Sequence, residues 1–424
     1  MKPVNSFGAF IKTLATNTAR LNNLANPANS LTLVLGNESA DLDSLVSSLT
    51  LAYVLSAKPD PPGHVVPIMN TNRSDMILRQ DCDLLLRTTL NAEGGRMEDL
   101  TFLDDIDLNM LVQKYKDGLN VWLVDHNAPA SRQMVLEPFV RGVVDHHLDE
   151  GKCPDAMKEI EVVGSCTSLV AAKVKELGNP IDSPLAKMLL SPILMDTVNI
   201  SSKAQKATDK DTECVSWLVP LVEWEDPPAT ASTANDDEDD APVFVDLSTA
   251  LQVRSTEELY RTLDKLKGSV SHLSTRDLLR KDYKQWKVAD KRGKEWVVGI
   301  SSIAYRMKKW VKRDGLTAIE TAISDWVSEQ NLDVALVMTH GKVRPRKSAP
   351  KEYGRDLTVA FKEPPQALFI AGLVASSALN LEFMTVNNLH SDIDRSPIYL
   401  FDQKKTTASR KQVFPVVKSV IESL

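Results

Sequence analysis

The chain has 424 residues, 43% of them hydrophobic and 25% charged, with a formal net charge of −7. That length is more than one core usually holds, so two domains are expected, and the composition excludes a disordered or fibrous chain. No apolar run reaches the ~18 residues of a membrane span, no secretory signal is evident, and four scattered cysteines (Cys82, Cys153, Cys166, Cys214) lack metal spacing, which points to reduced thiols in the cytoplasm.

The opening stretch "SFGAFIKTLATNTARLNN" carries Lys and Arg but no acid. A mitochondrial presequence shares that pattern, which leaves a minor mitochondrial pool open. Phe10, Ile11, Leu14 and Leu21 recur at helical spacing and favour an amphipathic helix packed on a domain. Short β-rich runs follow: "LTLVL" (31–35), "HVVPIM" (64–69), "LTFLDD" (100–105), "NVWLVD" (120–125) and "RGVVD" (141–145). Helical patterns such as Leu45, Leu49, Ala52 and Tyr53 lie between them, the signature of βαβ units and a parallel sheet. A helical region ends in "SPILMDTVNI" and "LVPLVEWE". The segment 226–242, "DPPATASTANDDEDDAP", reads as an acidic linker that cannot build a core. From 243 a second α/β domain is expected, with helices at "STEELYRTLDKLKG" and "LTAIETAISDWVSEQ" and strands at "EWVVGISSI" and "DVALVMT", followed by "DLTVAF" and the C-terminal "FPVVKSVIESL".

Charge divides along the same line. Residues 1–250 hold 20 Lys and Arg against 37 Asp and Glu, a balance of −17; residues 251–424 hold 30 against 20, a balance of +10. One half is suited to gather cations and the other an anion, with drift between two solvated surfaces as the plain alternative.

In a parallel sheet the site lies beyond the carboxyl ends of the strands. Acids stand there: Asp41 and Asp43 after the first run, Asp104 and Asp105 after the third, Asp125 after the fourth and Asp145 after the fifth. "VVDHH" adds two imidazoles and "LMDT" adds Asp196. Two carboxylates 4 Å apart repel by ~4 kcal/mol at an effective dielectric near 20, so converging acids need cations. Oxygen ligands with imidazole suit Mg²⁺ or Mn²⁺. Taken singly, each acid could equally cap a helix or end a strand.

These motifs together resemble the DHH phosphoesterase family, whose signature is Asp145-His146-His147. Within it the chain is similar to the fungal-type exopolyphosphatases, relatives of the manganese-dependent (family II) inorganic pyrophosphatases. "LGNESADLDSLVSSLTLAYVL", "FLDDID", "VWLVDHN", "VVDHHLDEG", "GSCTSLVA" and "ILMDTVNI" carry the likeness in the first domain. "LLRKDYKQW" and "ASRKQVFPVV" carry it in the second. The resemblance implies a parallel-sheet DHH domain (1–225), the linker (226–242) and a smaller basic α/β domain (243–424), with the active site in the cleft between domains. It implies two divalent cations, Mg²⁺ or Mn²⁺ with Co²⁺ as a further candidate. Asp41, Asp43, Asp125, His146 and Asp196 would be the ligands, with Asp125 bridging. His147, Lys284, Arg410 and Lys411 would bind the phosphate chain, and Asp145 would orient the histidine pair, with a direct metal contact as the alternative.

The expected reaction is hydrolysis of the terminal phosphoanhydride of inorganic polyphosphate by water activated between two ions roughly 3.5–4 Å apart. Asn37 stands where the pyrophosphatases carry His, which favours the exopolyphosphatase branch and leaves open whether Asn37 meets metal or phosphate. A helix start at Ser165 and Thr167 reads as a cap, with a phosphate contact as the alternative. "GKVRPRK" (341–347) reads as a solvated loop or, alternatively, the lining of a channel. The alternatives in function are a pyrophosphatase, another DHH phosphoesterase, or a silent scaffold of the same fold. A monomer acting without nucleic acid or membrane is expected.

Overall fold

A computed structural model describes residues 5–22, 30–58, 63–225, 249–343, 352–363, 367–384 and 398–424. The expected linker at 226–242 lies outside them, as do residues 344–347 of the basic loop. The described chain divides into two compact units, with the boundary at Ser269 and Val270.

The first unit is built on a six-stranded sheet in the order β3-β2-β1-β4-β5-β6. Its strands are β1 (Leu31–Leu35), β2 (His64–Met69), β3 (Thr101–Phe102), β4 (Leu119–Val124), β5 (Val140–Asp145) and β6 (Met157–Ile160). Every pairing is parallel. Its helices are α1 (Phe7–Asn22), α2 (Leu42–Ser56), α3 (Gln80–Ala92), α4 (Leu108–Tyr115), α5 (Cys166–Glu176), α6 (Ser183–Asp196), α7 (Asp209–Leu218) and α8 (Thr256–Gly268). The chain moves outward one way from β1 to β3 and the other way from β4 to β6. The order therefore reverses between β1 and β4, and a crevice opens there beyond their carboxyl ends.

Phe10, Ile11, Leu14 and Leu21 of α1 are buried, as their spacing requires. All fifteen residues of α2 are buried, including Ser44, Ser47, Ser48 and Thr50. Most of these buried hydroxyls find partners: Ser48 Oγ donates to the Val34 carbonyl at 2.9 Å and Ser47 Oγ meets Thr167 Oγ1 at 2.9 Å, whereas Thr50 Oγ1 has none. The β1–α2 turn is tight enough that a Cβ on Gly36 would sit 2.3 Å from Ser44 Oγ.

One expected boundary moves. α8 was assigned by sequence to the second domain, which was to begin at 243. Instead Leu259, Leu263 and Leu266 bury one face of α8 against α3 and α6 of the first unit. A helix with a single apolar stripe joins whichever core covers that stripe, and its position after an acidic segment does not decide which.

The second unit carries a mixed sheet in the order β11-β12-β10-β9-β8-β7. Its strands are β7 (Tyr283–Ala289), β8 (Glu295–Ile303), β9 (Val334–Val343), β10 (Glu352–Phe361), β11 (Leu381–Phe383) and β12 (Ile398–Gln403). Only β8 and β9 pair in parallel. Helices α9 (Thr275–Lys281), α10 (Met307–Asp314), α11 (Leu316–Glu329), α12 (Ala367–Val374) and α13 (Arg410–Glu422) complete it. Among the described residues no helix is long and apolar enough to cross a membrane.

Candidate metal centre

At the crevice of the first unit lies a cleft of about 450 Å³. Asn37, Asp41, Asp43, Asp125, His146, His147 and Asp196 all line it. The separate strand-end and helix-end motifs thus converge on one space.

Asp125 follows β4 in a left-handed backbone conformation, φ +64°. For a residue with a Cβ this is costly, and it holds only where the surroundings enforce it. Here the Asp125 amide donates to the Val144 carbonyl of β5 at 2.9 Å, while Asn37 Nδ2 donates to Asp125 Oδ2 at 2.6 Å and to its carbonyl at 3.1 Å. Oδ1 is buried, accepts no aligned hydrogen bond, and faces His146 Nε2 at 3.2 Å. Asn37 Oδ1 is itself occupied by the Ser39 amide and hydroxyl, at 2.9 and 2.6 Å. In this conformation Asn37 steers Asp125.

At the end of β5, Asp145 is fully buried. Its Oδ1 accepts the His146 and His147 amides and His147 Nδ1, at 2.8, 3.2 and 2.8 Å. Its Oδ2 accepts Asn127 Nδ2 at 2.5 Å. Asn127, which sequence reasoning passed over, also accepts the Glu150 amide and so braces the loop after the histidines. His146 Nδ1 meets the Val163 carbonyl at 3.0 Å. The carbonyl can only accept, so Nδ1 carries a proton, and Nε2 is the nitrogen that faces Asp125 at 3.2 Å and Asp43 at 3.9 Å. By the same logic His147, anchored through Nδ1, presents Nε2 from a half-exposed ring. Ligand atoms of Asp125, His146 and His147 lie within 4.8 Å of one another.

Asp41 is the N-cap of α2, accepting the Ser44 amide at 3.2 Å. Asp43, inside the first turn, is the most supported acid. Ser165 Oγ, Thr167 Oγ1 and the Thr167 amide donate to its Oδ1 at 2.8, 2.6 and 2.7 Å, and the Cys166 amide to its Oδ2 at 2.7 Å. The N-terminus of α5 is thereby filled by a carboxylate from another helix. Ser165 is the N-cap residue of α5, yet its hydroxyl and that of Thr167 donate to Asp43 instead of to their own helix. Asp196 ends α6, and its Oδ2 is buried with no hydrogen-bond partner.

Burial, seconded by the Asp43 charge, pushes the Asp125 carboxyl up to about 8. Burial with Asp43 and Asp41 does the same to Asp196, also to about 8. For His146 burial works against the charged form, but Asp125 and Asp43 outweigh it and raise the imidazole to about 10. Asp43 is raised too, chiefly by burial. Crowded acids with two unsatisfied buried oxygens, and an imidazole nitrogen turned toward them, suit a hard divalent cation, which would replace the protons such a cluster otherwise retains.

Asp104 and Asp105, placed by the same strand-end rule, do not line the cleft. Asp105 pairs with Arg73 at 2.6 Å and Asp104 accepts the Arg73 amide at 2.9 Å. Lys206, unremarked in the sequence, does line it.

The predicted anion-binding residues belong to the second unit. Lys284 is exposed on the edge strand β7. Arg410 and Lys411 open α13, which packs on β7; the Arg410 guanidinium donates to the Asp282 carboxylate and carbonyl at 2.7 and 2.8 Å. Trp286 and Phe414 stack with ring centroids 4.3 Å apart on the same two elements, half-buried against the core. That aromatic pair, which the basic motifs did not disclose, joins β7 to α13.

The chain belongs to the DHH family: residues 32–193 match the DHH family N-terminal domain, and residues 261–420 match the DHHA2 domain. Among its relatives, "Exopolyphosphatase PRUNE1" of Bos taurus is 31% identical over 92% of this chain and 76% of its own length. The "Putative exopolyphosphatase" of Schizosaccharomyces pombe is 30% identical over 94% of this chain and 92% of its own. A more distant one, the "Probable manganese-dependent inorganic pyrophosphatase" of Deinococcus radiodurans, is 25% identical over 66% and 86%.

Proposed function

We propose that the protein is a metal-dependent exopolyphosphatase that removes terminal orthophosphate from inorganic polyphosphate. The observation that carries this reading is the set of buried carboxylates at the switch point, two with orphaned oxygens, around an imidazole anchored through Nδ1 with Nε2 turned toward them. The exopolyphosphatase names of its relatives support the substrate class.

In this reading Asp41, Asp43, Asp125, His146 and Asp196 would hold two divalent ions, Mg²⁺ or Mn²⁺ with Co²⁺ as a substitute, with Asp125 serving both. When bound, the ions supply a water of lowered pKa and neutralise phosphoryl oxygens. His147 offers Nε2 to the transferring phosphoryl group, held in place by Asp145. Lys284, Arg410 and Lys411 offset the charge of that group and of the leaving chain; Arg gives a two-pronged contact and Lys a movable charge. Asn37 keeps Asp125 turned toward His146. Inorganic polyphosphate is the proposed partner and a monomer the proposed state.

The test is phosphate release from polyphosphates of several lengths, from pyrophosphate and from a nucleoside tetraphosphate, with Mg²⁺ or Mn²⁺. Release one unit at a time from polyphosphate is expected. Activity confined to pyrophosphate would move the protein to the pyrophosphatase branch, and silence on every substrate would make it a scaffold.

A further inference from the structure

Asp211, the third residue of α7, is a fully buried carboxylate that the mechanism does not use. Part of its role is ordinary. Thr208 caps α7, and Asp211 Oδ2 accepts the Thr208 amide and hydroxyl, both at 2.7 Å, the reciprocal cap of a helix start. A cap needs nothing more, yet three further donors converge on the same group. Gly164 N reaches Oδ2 at 2.8 Å; Ser168 Oγ and Ser165 N reach Oδ1 at 2.6 and 3.3 Å. These donors belong to the segment whose next groups, Ser165 Oγ, Cys166 N and Thr167 N, hold Asp43.

Gly164 is the crossing point. A Cβ there would lie 2.6 Å from Thr197 Cγ2, 2.9 Å from Asp211 Oδ2 and 2.9 Å from the Lys206 carbonyl. Thr197 directly follows Asp196, and the side chains of Lys206 and Asp196 line the cleft. Asp211 therefore clamps together the segment that aims Asp43 and the segment that carries Lys206, without touching the cleft itself.

We propose that Asp211 is the positioning residue for the Asp43 arm of the metal centre: it acts through Gly164, Ser165 and Ser168 on the donors that orient the Asp43 carboxylate. The idea rests on Asp43 being a metal ligand. Groups that orient ligands typically govern metal affinity by about 10- to 100-fold when removed.

The test is titration of the full-length chain with Mn²⁺, followed by electron paramagnetic resonance of free Mn²⁺, for wild type, Asp43→Ala, Asp211→Asn, Ser168→Ala and Thr208→Ala. Asp211→Asn should raise the half-saturating Mn²⁺ concentration by about tenfold or more. Excess metal should restore turnover with KM for polyphosphate unchanged. Ser168→Ala, which deletes one donor and spares the helix cap, should shift it several-fold the same way and covers the case in which Asp211→Asn misfolds. Thr208→Ala removes the cap hydroxyl alone; it should lower the melting temperature and leave the midpoint within about twofold. If Asp43→Ala weakens Mn²⁺ binding while Asp211→Asn and Ser168→Ala do not, the clamp has no positioning role. A Thr208→Ala midpoint shift as large as that of Asp211→Asn would also reduce Asp211 to a helix cap. If Asp43→Ala leaves Mn²⁺ binding intact, the ligand assignment fails and the proposal falls with it.

Discussion

The cleft of the first unit and the cation set of the second differ in how their charges are held. Asp43 and Asp125 are 4% and 2% exposed, and each is oriented by neighbours fixed in turn by the fold. Lys284 and Lys411 are exposed, and only Arg410 is tied down, through Asp282. Ions of fixed coordination need preset ligands, whereas a polyanion of variable length is served by charges that can follow it. Changes in the cleft should therefore switch chemistry off, and changes in the cation set should grade it.

The sharpest way to break this contrast is Asp125→Ala. Both proposed ions share that carboxylate, so turnover should fall by more than the roughly 10²–10³ that loss of one preorganised donor costs. Retained activity in a phosphate-release assay would remove the bridging role. Lys411→Ala should act as a graded loss: KM for polyphosphate rises, or kcat falls, by about tenfold, the worth of one charged hydrogen bond. Calorimetry should find its metal affinity unchanged; a weakened affinity would place Lys411 in the metal site.

Proton release sharpens the other side. Asp125 and Asp196 have folded values near 8, above the ordinary carboxylate value of 3.8, so the metal-free folded chain holds extra protons. Its stability should fall as pH rises from about 4 through about 8, and Mn²⁺ should stabilise it most at the upper end. Calorimetry at pH 7 in buffers of different ionisation enthalpy should show net proton release on Mn²⁺ binding. Uptake, or no release, would mean the acids are already ionised. The smallest effect is expected from Asn37→His, a several-fold drift toward Mn²⁺ or Co²⁺ and toward pyrophosphate. An unchanged preference would leave Asn37 only its hydrogen bonds to Asp125.

The same contrast governs what could be read in advance. β1, β2, β4 and β5 are near-continuous apolar runs because a parallel sheet is covered on both faces, and each ends where the next residues are polar. β6 and β7 escaped notice as edge strands with half-exposed, largely polar residues ("MKEI", "YKQWKVA"), which carry no apolar run to find. The cleft acids were legible because several ligand types cluster at strand ends. The same rule misplaced Asp104 and Asp105, since a strand end says nothing of which neighbour, here Arg73, a carboxylate will meet. Asp211 lies in "ATDKD", which reads locally as a helix start and nothing else. Its partner Gly164 stands 47 positions earlier, and only the folded chain brings them together.

The most direct test of the central claim is a crystal of the full chain soaked with Mn²⁺ and imidodiphosphate, with the ions located by anomalous scattering. Two peaks are predicted within the first-unit cleft, one against Asp43 and His146 and one against Asp41 and Asp196, both touching Asp125, with the analogue in contact with His147, Lys284, Arg410 and Lys411. An empty cleft, or an analogue bound away from those four side chains, would contradict the account.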